Sequence, residues 1–160
     1  MSPVPAGVRI QRATPADLGA LEPLFHGYLR FYGKPIDEAR VRAFLAARIG
    51  NGESVVYLAR DEASGDALGF VQLYPAFASL SQARSWILND LFVAESARGR
   101  GVSKLLMDAA RQLAVETGAC ELFLQTARDN TVAQSLYTSL GWERDDHFLV
   151  YTLDPRTTGV

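Results

Sequence analysis

The chain has few of the residues that build covalent or metal-centred sites. Its 160 residues include one cysteine, Cys120, and two histidines, His26 and His147. A single thiol excludes a disulfide framework within the chain, and a cysteine nucleophile would need one of the two histidines nearby. We therefore expect Cys120 to be a core or strand-edge thiol, and we expect no metal site.

Long apolar runs and net charge are lacking as well. No stretch approaches the ~20 apolar residues of a membrane-spanning helix, and residues 1–9 contain no apolar signal core. The formal net charge is −2, which creates no field that recruits nucleic acid or an acidic membrane. We expect a cytoplasmic protein with neither nucleic acid nor membrane among its partners.

The apolar residues that are present suffice for one core. Hydrophobic residues make up 48% of the chain and charged residues 21%, the balance of a globular domain. No internal repeat or low-complexity tract divides the chain. We expect one domain over residues 1–160, with residues 1–7 and 155–160 as flexible tails.

Apolar periodicity and turn residues predict the order β, α, α, β, β, β, α, β, α, β, which is a mixed sheet flanked by helices. The predicted strands cover residues 8–12, 54–60, 68–74, 86–93, 121–126 and 148–153. Pro23 is expected to kink or split the first helix, and Pro75 to end the third strand or mark a sheet edge.

Residues 88–114 are the stretch around which the chain is organised. A buried strand runs into a loop, and apolar residues then recur at the spacing of one helical face. These residues are Val102, Leu105, Leu106, Ala109, Ala110, Leu113 and Ala114. The spacing predicts a long amphipathic helix that starts directly after the loop.

The loop itself reads Arg98-Gly99-Arg100-Gly101. Two glycines let a backbone approach a ligand closely, and the first turn of the next helix has N–H groups without helical partners. With two arginines beside it, this turn is suited to a nucleotide pyrophosphate, although a plain surface turn is the alternative. A Walker loop is absent, and a dinucleotide fingerprint would need a third glycine where Lys104 stands.

Two motifs resemble those of the GNAT superfamily of N-acetyltransferases. Arg98-x-x-Gly101-x-Ser103 is similar to its acyl-CoA pyrophosphate motif, [QR]-x-x-G-x-[GA], with Ser103 in place of glycine or alanine. Residues 130–142, N-T-V-A-Q-S-L-Y-T-S-L-G-W, are similar to its N-x-x-A-x-x-[LF]-Y-x-x-x-G-[FW] signature. The resemblance implies an α/β (α+β) fold with a twisted, mixed, mostly antiparallel sheet of six to seven strands and about four helices.

The resemblance also implies acetyl-CoA as the acyl donor and assigns residues to bind it. Backbone N–H groups of the loop would hold the pyrophosphate, and the strand before it would pair with the pantetheine arm. Asn130 would contact the CoA arm, cap the following helix, or do both. The implied cofactor-binding residues are Leu91, Phe92, Val93, Arg98, Gly99, Arg100, Gly101, Val102, Ser103, Lys104 and Asn130.

Acetyl transfer to an amine needs a base and an acid. An ammonium has a pKa of about 10.4, so a base must remove a proton from the amine before it can attack. A thiol has a pKa of about 8.5, so the leaving thiolate is stabilised when an acid protonates it. By resemblance, Tyr137 is the acid beside the CoA sulfur. Asp90 is either a base acting through water or a buried structural acid, and Asn89 stands where polyamine acetyltransferases carry a glutamate.

The resemblance also indicates which residues contact the acceptor amine, because the first two helices form one wall of the acceptor pocket in that family. Tyr28 and Tyr32, together with Asn89, are therefore candidate substrate contacts, and core packing is the alternative for the tyrosines. The implied acceptor is a primary amine, a polyamine or another small amine. Acetylation of a protein lysine or N-terminus and a non-catalytic CoA-binding regulatory domain are the alternatives, and a homodimer is expected from the family.

Overall fold

The computed structural model describes residues 7–157, in two compact units that divide between Gln125 and Thr126. Most of the expected flexible tails lies outside the described residues. The strands are β1 (Val8–Arg12), β2 (Val55–Asp61), β3 (Ala67–Ala78), β4 (Ala83–Val93) and β5 (Glu121–Phe123). The helices are α1 (Leu18–Phe31), α2 (Glu38–Gly50), α3 (Val102–Glu116) and α4 (Thr131–Ser139), with short 3-10 helices at Pro15–Asp17 and Glu95–Ala97.

One sheet carries the first unit, in the order β1-β2-β3-β4-β5. Each of the first three strands pairs antiparallel with the next, whereas β5 pairs parallel to β4 and is reached through the crossover helix α3. This mixed, mostly antiparallel sheet with four helices confirms the predicted α/β class. The described residues form five strands where six to seven were expected.

The predicted strand over residues 148–153 is the part of that expectation that is wrong. These residues have no strand assignment, and apolar side chains among them are largely exposed, from 67% for Val150 to 86% for Tyr151. An apolar run makes a strand only when its backbone groups pair with a neighbouring strand. No ladder that includes residues 148–153 is present among residues 7–157.

Two prolines lie inside elements without ending them. Pro75 pairs with Trp86 of β4, but the pairing of β3 with β2 already stops at Leu73, so β3 is an edge at this proline. The edge alternative for Pro75 is therefore confirmed. Pro23 does not split α1, because buried Leu21 and Leu24 on either side hold the helix against the sheet.

Helices cover both faces of the sheet. On one face α1 and α2 bury Leu21 and Leu45 against Leu58 and Phe70, all four with no exposed surface. On the other face α3 buries Leu106, also at 0% exposure. Because each buried leucine contributes ~1.5–3 kcal/mol, these layers hold β3 and β4 in place from both sides.

Gly27 marks the closest approach of α1 to β4. A Cβ atom at Gly27 would lie 2.7 and 2.8 Å from two ring atoms of Phe92, whereas one at Gly19 in the same helix meets nothing within 4 Å. We predict that Gly27→Ala lowers the free energy of unfolding, since overpacking costs ~1–3 kcal/mol. The matched control Gly19→Ala should raise it by up to ~1 kcal/mol, since alanine is the better helix former.

Urea denaturation of the two variants and the parent measures both effects. Equal stability of Gly19→Ala and Gly27→Ala would contradict a tight contact between α1 and Phe92.

Candidate active site

A β-bulge shapes β4 at the centre of the sheet. Gln72 of β3 pairs with Asp90, and the next residue, Leu73, pairs with Leu88, so Asn89 has no partner across the ladder. A bulge bends the strand and redirects the side chains beside it. Here Asp90 is buried at 5% exposure and Asn89 is exposed.

Several donors surround the Asp90 carboxylate. Gln72 Nε2 donates to Oδ2 at 2.7 Å, and Asn89 Nδ2 donates to Oδ1 at 3.1 Å. The hydroxyl of Tyr28, which α1 places against the sheet, is a further hydrogen-bond partner. These donors compensate the carboxylate for the water that it loses on burial.

Two tyrosines beside Asp90 keep their protons far above neutral pH. Burial and the nearby negative charge of Asp90 raise the pKa of Tyr74 to about 12. Burial, followed by the charge and the hydrogen bond of Asp90, raises the pKa of Tyr28 well above its usual value. Both hydroxyls are therefore donors toward an anion or a lone pair at physiological pH.

Sequence reasoning did not single out Gln72 and Tyr74. The available signal was a glutamine inside the otherwise apolar run of residues 68–73, since a glutamine in a buried strand is unusual. Tyr74 follows two positions later on β3, and side chains two apart lie on the same face of a strand.

The aromatic residues of α1 form a row from the core to the surface. The rings of Tyr28 and Tyr32 meet edge to face at 5.0 Å, and those of Phe31 and Tyr32 at 5.1 Å. Tyr28 also packs on Phe70 of the core at 6.0 Å, while Tyr32 is 47% exposed. Tyr28 therefore takes part in core packing, one of the alternatives that the sequence left open, and it also lies beside the buried Asp90.

A cleft opens where β4 and β5 part. Their parallel pairing ends at Ile87 with Phe123, although β4 continues to Val93. Beyond this point β4 has no partner strand on that side within residues 7–125, so backbone groups of residues 88–93 are available to an extended ligand. The cleft has a volume of about 320 Å³ and is lined by Ile87, Leu88, Asn89, Phe123 and Gln125.

Asn89 joins the cleft to the buried Asp90 carboxylate. Its side chain lines the cleft and also donates to Asp90 Oδ1. The predicted cofactor-binding residues Leu91, Phe92 and Val93 follow directly on the same strand. Asp90 and the predicted cofactor-binding residues are therefore direct neighbours on one strand.

The loop after β4 has the backbone of an anion site. Gly99 and Gly101 have positive φ angles of 77° and 73°, and α3 begins at Val102. Left-handed residues next to a helix start turn successive N–H groups toward one concave side. The first turn of α3, which includes Ser103 and Lys104, adds N–H groups that have no intrahelical acceptor.

The two loop arginines are placed differently. Arg100 NH2 lies 2.8 Å from Asp61 Oδ2 at the end of β2, and this contact holds the pKa of the Asp61 carboxyl below its usual value. Arg98 is exposed and has no ion pair among the contacts of the described residues. Because exposed ion pairs contribute little, Arg100 can exchange Asp61 for a stronger anion.

The second unit contains the other predicted motif. The side chain of Asn130 accepts a hydrogen bond from the Ala133 N–H at 3.3 Å, which confirms the predicted cap of α4. On α4 the ring of Tyr137 lies 6.2 Å from that of Trp142, between centroids.

Other acidic residues are engaged away from Asp90. Glu22 forms an ion pair with Arg42 at 3.2 Å, and Asp37 caps α2 by accepting from the Arg40 N–H at 3.0 Å. Cys120 is exposed at the entry to β5, which fits a strand-edge thiol. Within residues 7–157 no group of three or more His, Cys, Asp or Glu side chains is placed to hold a metal ion, and no described helix is long and apolar enough to cross a membrane.

Comparison with known proteins places this geometry in context. The profile of the acetyltransferase (GNAT) family matches residues 21–142. An uncharacterized N-acetyltransferase, YhfO, of Bacillus subtilis (strain 168) is 44% identical over 147 residues, which are 92% of this chain and 97% of the relative.

Solved structures share the fold. A crystal structure of a probable acetyltransferase is 46% identical, with a TM-score of 0.87 over 91% of this chain and 97% of the other. Aminoglycoside N-acetyltransferase AAC(6')-Iy in complex with CoA is 20% identical, with a TM-score of 0.76 over 91% of this chain and 94% of the other. At 20% identity, the similarity to the aminoglycoside acetyltransferase shows a shared fold alone.

Proposed function

The chain belongs to the GNAT family of acetyltransferases, and on that premise we propose that it transfers the acetyl group of acetyl-CoA to the primary amine of a small molecule. The observation that carries the proposal is the arrangement along β4. One strand has the open cleft on its free side, the buried Asp90 at its bulge, and the glycine loop at its end.

Acetyl-CoA binding is assigned to the loop and to the strand before it. The N–H groups of residues 99–104 and the exposed guanidinium of Arg98 suit a pyrophosphate. The free backbone of residues 91–93 suits the amides of the pantetheine arm, which resemble those of an added strand. The aminoglycoside acetyltransferase of like fold was solved in complex with CoA, which favours CoA as the ligand of this chain.

The reaction is a direct attack on the thioester. The neutral amine nitrogen forms a bond to the acetyl carbonyl carbon, the carbon–sulfur bond breaks, and CoA leaves as a thiolate. Asp90 accepts the amine proton through a water molecule, since its burial keeps the acceptor from direct contact. Tyr137 protonates the thiolate, an assignment that rests on the motif around it.

The acceptor is best described as a small amine with one cationic group at the site. Tyr28 and Tyr32 offer aromatic faces to an ammonium, and Asp90 attracts it into position. A polyamine is the finer hypothesis from the sequence, but Glu22 and Asp37, which would suit its further charges, are engaged elsewhere. We therefore propose amino sugars and amino acids ahead of polyamines.

A panel of amines with acetyl-CoA tests the function through release of free thiol. The panel contains an aminoglycoside, several amino acids, spermidine and a lysine peptide. We expect thiol release with at least one small amine and less with the peptide. Binding of CoA without release by any amine would favour the regulatory alternative, and absence of both would overturn the proposal.

The loop assignment predicts the effect of charge reversal. Arg98→Asp and Arg100→Asp should each raise the dissociation constant of acetyl-CoA by at least about tenfold, because they place a carboxylate beside a pyrophosphate. Calorimetric titration measures this, with Arg111→Asp on the exposed side of α3 as control. Asp61→Asn, which frees Arg100, should leave the constant unchanged or lower it. An effect equal to that of the Arg111 control would contradict the loop assignment.

The role of Tyr137 predicts a separation of turnover from binding. Tyr137→Phe should lower kcat by about a hundredfold, the range of a single proton donor, and leave the acetyl-CoA dissociation constant within about twofold. Steady-state kinetics and titration measure the two quantities, with the exposed Tyr151→Phe as matched control. Unchanged turnover across pH would remove Tyr137 from the mechanism.

A further inference from the structure

Gln72 is a buried amide in the middle of an apolar strand. Its side chain has 0% exposure, as do those of Phe70, Val71 and Leu73 on the same strand. Burying an amide costs free energy unless its groups are hydrogen-bonded. Nε2 donates to Asp90 at 2.7 Å, but Oε1 has no hydrogen-bond partner among the residues that the structure describes.

Stability alone does not explain this pair. A buried polar pair with one unsatisfied atom is no better for folding than two apolar residues of the same shape. Gln72 lies directly opposite Asp90 in the ladder, at the last position before the register shifts at Asn89. The glutamine therefore holds Asp90 at the one place where the strand is irregular.

One other contact of Asp90 leads to the cleft. The donor Asn89 binds the second carboxylate oxygen and lines the cleft between β4 and β5. Tyr28 approaches from α1, a helix that packs on the sheet, whereas Gln72 belongs to the neighbouring strand itself. Of these donors, Gln72 is fixed by the backbone pairing, and its 2.7 Å bond to Asp90 is shorter than the 3.1 Å bond from Asn89.

We propose that Gln72 is a positioning residue, whose amide anchors one oxygen of Asp90 so that the other stays turned toward Asn89 and the cleft. The inference rests on the proposed function, in which Asp90 takes the amine proton. Gln72 itself is fully buried and does not contact the acceptor. Its effect on turnover therefore passes through the Asp90 carboxylate.

A double-mutant cycle tests whether Gln72 acts through Asp90. Gln72→Met keeps the length of the side chain and removes the donor. We expect it to lower kcat by about tenfold, within the range of direct pair couplings, with the KM for acetyl-CoA within about twofold. In an Asp90→Asn background the same substitution should change kcat by less than about twofold, because the anchored carboxylate is already gone.

Leu73→Ala is the matched control, since Leu73 is the next residue of β3, is equally buried and pairs with Leu88 instead of Asp90. Its effect on kcat should be the same in both backgrounds, as expected of a purely structural loss. Independent, multiplicative effects of Gln72→Met and Asp90→Asn would overturn the proposal. Gln72→Leu provides the same test if the methionine variant does not fold.

A readout without substrates separates this proposal from the proposed function. The carboxyl carbon-13 resonance of Asp90, assigned by its loss in Asp90→Asn, should shift in Gln72→Met and stay in place in Leu73→Ala. An unmoved resonance in Gln72→Met overturns the role of Gln72 even if the enzyme is active. If the resonance shifts but the protein acetylates no amine, the contact between Gln72 and Asp90 is supported and the proposed function is overturned.

Discussion

The parting of β4 from β5 after Ile87 is the constraint on which the site depends. From Ser85 to Ile87 β4 is paired on both sides, and beyond Ile87 the strand pairs with β3 alone within the first unit. Backbone groups that a regular sheet would consume are thereby left for a ligand. The cleft and the free backbone of the predicted cofactor-binding stretch both derive from this one opening.

The buried Asp90 carboxylate and its hydrogen-bond donors depend on the same strand. Without the bulge at Asn89, residues 89 and 90 would face opposite sides of the sheet, and the cleft would have no link to a buried carboxylate. With the bulge, Asp90 is reached from β3 by Gln72 and from α1 by Tyr28. The same packing that buries the Asp90 carboxylate therefore brings hydrogen-bond donors to it.

The two arginines of the glycine loop have different surroundings, although the sequence presented them as equivalent. Arg100 is drawn to Asp61, so it ties the loop to the end of β2, while Arg98 stays exposed to solvent. The left-handed backbone at Gly99 and Gly101 turns the N–H groups inward whether or not either arginine takes part. Backbone geometry is therefore the constant part of the proposed anion site, and the two arginines are its adjustable part.

The sequence by itself determined the order of elements in the first unit, the long helix α3 with the glycine loop before it, and the cap at Asn130. These features are local, because helical periodicity, capping and positive φ angles are decided by residues a few positions apart. Tertiary structure alone decided the bulge, the contact between Gln72 and Asp90 and the pairing of Arg100 with Asp61, whose partners are 18 and 39 positions apart in the chain. It also left residues 148–153 without a strand, since an apolar run shows that a segment can pair but not whether a neighbour is there to pair with it.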